Sequence, residues 1–375
     1  MQRIVVIGAS LAGIRAAEAL RRRGFDGELT VAGAEPGAPY RRPELSKGYL
    51  RGSQSADEIR LSTDAGLDVR PATEGVLLDP GARVVWLRHD GGTPVPQPFD
   101  GLVIATGAIA RTLPEPRLRG IHTLRTLADA EALRTGLLAD PGIRVVVVGG
   151  GPVAGEVAAA VRLLGLGVTL VCPAPGPMAG LFGPAVARML AELHEGNGTA
   201  CIEGTVARIE GDDRVRAVRL ADGTEIPADL VVLGIGARPA TGWLHGSGLI
   251  EPDGTLRHAT NLAVADGITA AGDVTAAPGA GHWDSAVRQA DTAARTLLEG
   301  PSAPAHHATT MFWTELYGTR LQMLGHPAPE VTARVAEGSL CDHRCVVTYG
   351  TNAVLLVNSP HRISAYRRLL SAAAT

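Results

Sequence analysis

The sequence predicts an α/β fold in which a strand, a glycine turn and a helix occur as a unit twice, followed by a small α+β domain. Short β-branched runs lead directly into glycine-rich turns at Gly8 and at Gly149, and a helical pattern follows each turn. The second unit therefore repeats the first at an offset of 141 residues. From residue 301 the composition changes to prolines and paired histidines, and strand-like runs follow, which indicates a separate domain.

The first unit is the opening stretch of the chain, Arg3 to Arg23. Ile4 to Ile7 form a run suited to a strand buried on both faces, and the pattern becomes helical from Leu11. A turn between them brings backbone N–H groups and a positive helix end to one point, which suits a pyrophosphate. The turn residues expected there are Gly8, Ser10, Ala12 and Gly13. Ser10 replaces the middle glycine of the usual G-x-G-x-x-G pattern.

A second predicted strand, Leu29 to Ala32, ends just before Glu35. An acid at this spacing can accept hydrogen bonds from a ribose diol. The glycine turn alone is also consistent with plain packing of a strand on a helix. The strand and the acid together favour a dinucleotide site.

The next segment is a proline-rich loop that carries Arg41, Arg42 and Lys47. One interpretation is a solvated basic loop, and the other is a loop that folds over the ligand. Residues 51–98 are polar and rich in turns, with a strand-like piece around Gly75, and predict a small antiparallel insert.

Residues 99–111 return to a buried strand whose end is Ala105-Thr106-Gly107. Ligands bind at the carboxyl ends of such strands, so this end is expected beside the first glycine turn. The second unit then supplies Gly149 and Gly151, which implies a second dinucleotide or the relic of a second site.

Further along, residues 268–273 predict a short strand that delivers Asp273 after a glycine. A helix is predicted from Trp283 to Leu298.

Composition excludes several classes of function. A net charge of −3 predicts no general attraction to nucleic acid or to anionic membranes. No run of 18 apolar residues occurs, and the N-terminus enters a strand at once, which predicts a cytoplasmic protein. The cysteines show neither a C-x-x-C pair nor zinc spacing, so buried reduced thiols and no metal site are expected. They are Cys172, Cys201, Cys341 and Cys345.

Taken in order, the motifs resemble those of FAD-dependent NAD(P)H:ferredoxin or rubredoxin reductases, the putidaredoxin-reductase-like flavoproteins with two dinucleotide domains. The matching stretches are GASLAG at Gly8 to Gly13, RRPELSKGYL at Arg41 to Leu50, ATG with a following arginine at Ala105 to Arg111, AAGD at Ala270 to Asp273, HWDSA at His282 to Ala286, and FWTELYGTRLQ at Phe312 to Gln322.

The resemblance implies an architecture and an activity. Two Rossmann-like domains are expected, one for FAD over 1–115 and 240–300 and one for NAD(P) over 116–239, with an interface domain over 301–375. Electrons would pass from NAD(P)H through FAD to a ferredoxin-type iron–sulfur protein that serves a monooxygenase.

The resemblance also implies site residues. The expected FAD contacts are Gly8, Ser10, Ala12, Gly13, Glu35, Arg42, Lys47, Gly75, Ala105, Thr106, Gly107, Arg111, Asp273, Trp283 and Trp313. Lys47 and Glu156 would pair near flavin N5, and Trp283 would lie towards the docking face for the iron–sulfur protein. The alternatives are a surface lysine, a helix-turn acid and, for Trp313, core packing.

Two departures from related flavoproteins shape the mechanism that the resemblance implies. The C-x-x-x-x-C redox pair of some relatives would lie where Arg41 to Lys47 stand, and no cysteine is there. The flavin itself is therefore expected to carry the chemistry.

The second departure lies in the nicotinamide site. Cys172 stands where NAD-dependent members carry a glutamate for the adenosine ribose, and no arginine for a 2′-phosphate follows. The sequence thus predicts slow use of NADH with little preference over NADPH. Two alternatives remain: an oxidase or biosynthetic redox enzyme that has lost nicotinamide use, and a flavin-binding subunit with a structural or regulatory role.

Overall fold

The computed structural model describes residues 1–63, 66–114, 118–276, 281–306, 311–327 and 331–373. The strands within them are β1 (Arg3–Ile7), β2 (Glu28–Ala32), β3 (Asp68–Arg70), β4 (Thr73–Asp79), β5 (Val84–His89), β6 (Val95–Pro98), β7 (Gly101–Ile104), β8 (Ala108–Ala110), β9 (Ile121–Thr123), β10 (Val145–Val148), β11 (Val168–Cys172), β12 (Ala200–Glu203), β13 (Val206–Gly211), β14 (Val215–Leu220), β15 (Glu225–Pro227), β16 (Leu230–Leu233), β17 (Ala237–Pro239), β18 (Ala263–Ala265), β19 (Ile268–Ala270), β20 (Met311–Leu316), β21 (Thr319–Gly325), β22 (Arg334–Ser339), β23 (Arg344–Tyr349) and β24 (Ala353–Val357).

The α-helices are α1 (Leu11–Arg22), α2 (Gly48–Arg51), α3 (Leu127–Leu137), α4 (Pro152–Leu163), α5 (Ala179–Phe182), α6 (Pro184–Gly196), α7 (Trp283–Glu299) and α8 (Ile363–Ala373). No helix of the described ranges is both long enough and apolar enough to cross a bilayer.

The chain divides into two compact units. The first contains Met1–Arg41, Arg60–Ile109 and Arg238–Thr310, and the second contains the rest, Arg42–Ile59, Ala110–Ala237 and Met311–Thr375. This division groups elements by packing, and the three-domain boundaries expected from the sequence remain a prediction.

The first unit is built on a six-stranded sheet in the order β18-β19-β7-β1-β2-β3. Its strands run parallel except β18, which is antiparallel to β19. Alanine-rich α1 packs with α7 against one face, where small side chains allow close approach. The predicted antiparallel insert is confirmed as the sheet β4-β5-β6, whereas β3 instead extends the main sheet beside β2.

The second unit repeats this plan with a parallel five-stranded sheet in the order β12-β11-β10-β16-β9. Helices α3 and α4 cover one face, and the antiparallel sheet β13-β14-β15 packs on the other. The α/β prediction with two dinucleotide-type modules is confirmed.

The C-terminal residues form an antiparallel sheet in the order β20-β21-β24-β23-β22. One face shares a core with α5 and α6, and α8 covers the other face. The small α+β element predicted at the end of the chain is therefore present.

Residues 42–59 belong to the second unit because of three contacts. Leu50 is fully buried in the core shared by α3 and α4. The Tyr49 hydroxyl donates to Glu131 Oε1 at 3.2 Å, and Arg42 Nη1 donates to the carbonyl oxygen of Arg125 at 2.7 Å. Short helix α2 is thus held by side chains, and it fixes the position of Lys47, which precedes it.

Candidate functional site

The two glycines of the turn in the first unit stand where no side chain would fit. Gly8 has φ +114°, and a Cβ there would lie 2.1 Å from the carbonyl oxygen of Ala105. A Cβ on Gly13 would lie 1.7 Å from the carbonyl oxygen of Gly8. Helix α1 therefore starts directly at the end of β1, with its unpaired first-turn N–H groups at the carboxyl edge of the sheet.

Four neighbouring strands deliver the predicted residues to this same edge. The order β19-β7-β1-β2 places Asp273, the Ala105–Gly107 turn, the glycine turn and Glu35 side by side. Three strand spacings cover about 14 Å. Two acids therefore flank a helix N-terminus, a donor and acceptor set that fits a dinucleotide with two sets of hydroxyls and a central pyrophosphate.

Both acids are held by neighbours within the first unit. Glu35 Oε2 accepts from the Tyr40 hydroxyl, and Asp273 Oδ1 accepts from the Gly281 N–H at 2.8 Å. Fully buried Gln289 fixes the turn before Asp273, because its Oε1 accepts from the Gly272 N–H at 2.7 Å. These bonds orient the two carboxylates before any ligand arrives.

The turn that follows β7 is also held by hydrogen bonds within the first unit. Thr106 Oγ1 donates to the carbonyl oxygen of Ala240 at 2.9 Å, and the Ala240 N–H donates to that of Gly107. On β4, a Cβ at Gly75 would lie 3.0 Å from Ile7 Cγ2, so this backbone packs closely on β1. The site residues predicted on β4 and after β7 are therefore held by close backbone packing and by hydrogen bonds.

The second unit contains a buried ion pair with two hydroxyl partners. Lys47 Nζ lies 2.7 Å from Glu156 Oε1, with the side chains 19% and 6% exposed. Thr314 Oγ1 donates to the same oxygen at 2.7 Å, and the Ser46 hydroxyl donates to Oε2. Lys47 also donates to the carbonyl oxygen of Pro43 at 3.0 Å. Both oxygens of the carboxylate thus accept hydrogen bonds, which compensates its burial.

Three other predicted site residues are Arg111 and Trp313 in the second unit and Trp283 in the first. Exposed Arg111 donates through Nε to the carbonyl oxygen of Ala237 at 3.1 Å. Trp313 lies half-buried on β20 opposite Gln322. In the first unit, Trp283 opens α7 and packs half-buried against the core beneath α1.

The second glycine turn is also a close-packed turn, yet it is open on one side. Gly149 has φ +141°, and a Cβ there would lie 2.2 Å from the carbonyl oxygen of Gly234. A Cβ on Gly151 would meet no atom of the described chain within 4 Å, and α4 begins at the next residue, Pro152. The turn therefore keeps room for a ligand beside a helix N-terminus.

The thiols do not form a reactive pair. Burial raises the pKa of Cys172 to about 11, with a smaller contribution from the charge of Glu203. Burial likewise raises the pKa of Cys201 to about 12 and of Cys345 to about 11. Cys172 and Cys345 are buried as expected, and Cys201 is only partly buried. Cys341, in the turn after β22, is exposed, so the expectation of buried thiols is wrong for this residue.

All four cysteines are free in the structure. Among the residues that the structure describes, no group of three or more His, Cys, Asp or Glu side chains could hold a metal ion.

Sequence reasoning missed Ser46, Thr314 and Gln289. The first two lie inside the motifs RRPELSKGYL and FWTELYGTRLQ, but nothing in the pattern around them indicated that their hydroxyl groups bind a buried carboxylate. Gln289 could have been found from its spacing, since it lies four residues after Ser285 on the buried side of a strongly amphipathic helix, and its Nε2 donates to that hydroxyl.

Comparison with known proteins agrees with this geometry. Residues 2–293 match the family described as pyridine nucleotide-disulphide oxidoreductase. The chain is 36% identical to the biphenyl dioxygenase system ferredoxin–NAD(+) reductase component of Paraburkholderia xenovorans (strain LB400), over 86% of this chain and 80% of that protein. It is 32% identical to rhodocoxin reductase of Rhodococcus erythropolis, over 98% and 89% of the two chains.

A solved structure gives the same result. The chain superposes on the covalent putidaredoxin reductase–putidaredoxin complex with a TM-score of 0.87 and 28% identity, covering 98% of this chain and 93% of that chain.

The two glycine turns and the acids at the sheet edge define a dinucleotide-dependent oxidoreductase of the α/β class. Within that class, the chain belongs to the pyridine nucleotide-disulphide oxidoreductase family, and its resemblance to the ferredoxin reductases is confirmed. No cysteine occurs before Cys172 in the sequence, so the first module carries no redox dithiol.

Proposed function

We propose that this protein is an FAD-dependent reductase that takes electrons from NAD(P)H and passes them to a ferredoxin-type iron–sulfur protein. The observation that carries the proposal is the row of groups at the carboxyl edge of the first sheet, from Asp273 to Glu35. Relatives named as ferredoxin–NAD(+) reductase components support the direction of electron flow.

The residues of the first unit would bind and orient the cofactor. The N–H groups after Gly8 suit the pyrophosphate, Glu35 suits the adenosine ribose, and Asp273 suits the ribityl hydroxyls. When bound, FAD supplies the redox chemistry by accepting two electrons as hydride and releasing them one or two at a time.

The residues of the second unit would adjust the reduction potential of this cofactor and bind the nicotinamide nucleotide that reduces it. We propose that the ammonium group of Lys47, held by Glu156, favours the negative charge that reduction brings. The turn at Gly149 and Gly151 would receive the pyrophosphate of the nicotinamide nucleotide. Buried Cys172 offers the adenosine ribose no carboxylate, so we expect a weakened site and slow reduction by NADH.

Replacement of Asp273 by alanine is expected to weaken FAD binding by about 1–3 kcal/mol, because ligand hydroxyls lose a charged acceptor. The dissociation constant is measured by titrating apoprotein with FAD and following the quenching of flavin fluorescence. Asp266→Ala, which removes an exposed carboxylate of the same unit, serves as the control. An unchanged constant in Asp273→Ala would remove this residue from the site.

The proposed function is tested by anaerobic mixing of the yellow protein with NADH and, separately, with NADPH. Flavin bleaching is followed first, and a purified [2Fe–2S] ferredoxin is then added so that its reduction can be followed in the visible range. Bleaching by a nicotinamide followed by reduction of the ferredoxin supports the proposal. Bound FAD that neither nucleotide reduces would instead favour an oxidase or biosynthetic redox enzyme, which oxygen consumption with small-molecule substrates would then identify.

A further inference from the structure

Two neighbouring strands of the second unit end side by side at the expected ribose position. Strands β11 and β12 are parallel, and their register pairs Thr169 with Ala200 and Cys172 with Glu203. The N–H of Gly204 donates to the carbonyl oxygen of Cys172 at 2.9 Å, so the pairing holds to the last residue of both strands. Glu203 is exposed, whereas Cys172 is buried.

Glu203 is also the one charged residue at the carboxyl ends of the three strands β10, β11 and β12. The strands β10, β11 and β12 end in the loops 149–151, 173–178 and 204–205, all of which the structure describes, and none of these loops contains an ionisable side chain. The whole stretch 163–187 lacks Asp, Glu, Lys and Arg. A ribose that lies over the ends of β10, β11 and β12 would therefore meet Glu203 as the one charged side chain of these strand ends and loops.

We infer that Glu203 supplies, from the neighbouring strand, the carboxylate that the position of Cys172 lacks. Its oxygens accept hydrogen bonds from the hydroxyls of an adenosine ribose, and its charge repels a 2′-phosphate. The inference rests on the proposed nicotinamide site and adds a specificity residue to it.

Adjacent strands lie about 4.8 Å apart, which is about the reach of a fully extended glutamate side chain from its Cα to its carboxylate oxygens. An acceptor displaced by one strand gives a weaker site than an acid at position 172 would. The direction of the preference nevertheless follows from the charge, because a carboxylate at the ribose disfavours a phosphate dianion there. The equal use of NADH and NADPH expected from the sequence then becomes a preference for NADH.

The inference is tested on the oxidised FAD-loaded protein by calorimetric titration with ADP-ribose and with 2′-phospho-ADP-ribose. These probes lack nicotinamide, so the measurement involves no electron transfer. We expect the wild type to bind ADP-ribose at least tenfold more tightly. Glu203→Gln should weaken ADP-ribose binding about tenfold and leave the phosphorylated probe unchanged or improved. Glu203→Arg should reverse the preference.

Glu192→Gln is the matched control, because it removes the same charge from an exposed position on α6. Equal affinity of the wild type for the two probes, undetectable binding of ADP-ribose, or an effect of Glu203→Gln that Glu192→Gln reproduces would each overturn the inference. Binding that depends on Glu203, in a protein that never reduces a ferredoxin, would sustain the inference and refute the proposed function. Ferredoxin reduction by NADH that is indifferent to Glu203→Gln would do the reverse.

Discussion

Replacing Lys47 with methionine is expected to lower the free energy of unfolding by about 3 kcal/mol. The change leaves Glu156, only 6% exposed, without the ammonium group that lies 2.7 Å from its Oε1. Removing one member of a buried ion pair is costly because the other charge stays in a poorly solvated place. The hydroxyl groups of Ser46 and Thr314 remain as donors and limit the loss.

Urea unfolding of the FAD-loaded protein measures this effect. The double variant Lys47→Met/Glu156→Gln should recover most of the stability, since an amide keeps hydrogen-bonding capacity without the charge. Arg295→Met is the control, because its partner Glu299, four residues further along α7, is an exposed carboxylate and the expected loss is below about 1 kcal/mol. A Lys47→Met variant as stable as wild type would show that the ion pair contributes nothing to folding.

The same variant reports on the proposed redox role through an independent measurement. The flavin of Lys47→Met should have a lower midpoint potential, because the negative charge gained on reduction loses a nearby cation. A potential at or above that of the wild type would show that Lys47 acts on folding alone.

Local features of the sequence were enough to predict the two modules. β-Branched runs and glycine turns specify the ends of β1 and β10, because a Cβ at Gly8 or Gly149 would collide with the backbone of the adjoining strand. The acids after β2 and β19 also follow from spacing, because parallel strands bring their carboxyl ends to one edge. The predicted row of groups in the first unit needed no tertiary information beyond this rule.

The surroundings of Glu156 could not be predicted in this way. Its partners Ser46 and Thr314 are separated by more than 260 positions in the chain, and hydroxyl side chains carry no pattern that marks them as donors to a buried acid. The contacts of Ser46 and Lys47 with Glu156 depend on Leu50, because the burial of Leu50 in the second unit places the preceding residues there. A single apolar side chain that follows a proline-rich loop does not reveal which core it will enter.

Glu203 illustrates a different limit. Its type and its place near the end of a strand are visible in the sequence, but its relation to Cys172 requires the order and register of β11 and β12. A register shifted by one residue would turn the side chain to the other face of the sheet. Pairing between strands that are separated by two helices is set by packing of the whole module, and a pattern of single residues does not contain it.

A buried histidine on α6 is expected to make the stability of the protein depend on pH. His194, near the end of α6, is fully buried, and its Nδ1 lies 3.1 Å from the Tyr317 hydroxyl, which in turn bonds Thr199. Within the described residues its Nε2 has no hydrogen-bond partner. Burial lowers the pKa of His194 from 6.5 to about 4.

The sign of the effect follows from the folded pKa being the lower one. Between pH 6.5 and 4 the unfolded chain binds a proton that the folded chain does not, so stability is complete above pH 6.5 and falls as the pH drops towards 4. The loss attributable to His194 approaches about 3 kcal/mol. His194→Phe keeps an aromatic ring beside Tyr317 and removes the titration. From pH 7 to pH 4.5 the unfolding free energy of the wild type should therefore fall by about 2–3 kcal/mol relative to that of His194→Phe.

Urea unfolding at a series of pH values measures this difference, and His361→Phe, at an exposed position, is the control that should leave the pH slope unchanged. A pH-independent difference between wild type and His194→Phe would mean that the buried ring accepts a proton as readily as it does in the unfolded chain. In that case the buried ring would need an acceptor for its second N–H, and the arrangement of α6 against the turn at Tyr317 would differ from the one described.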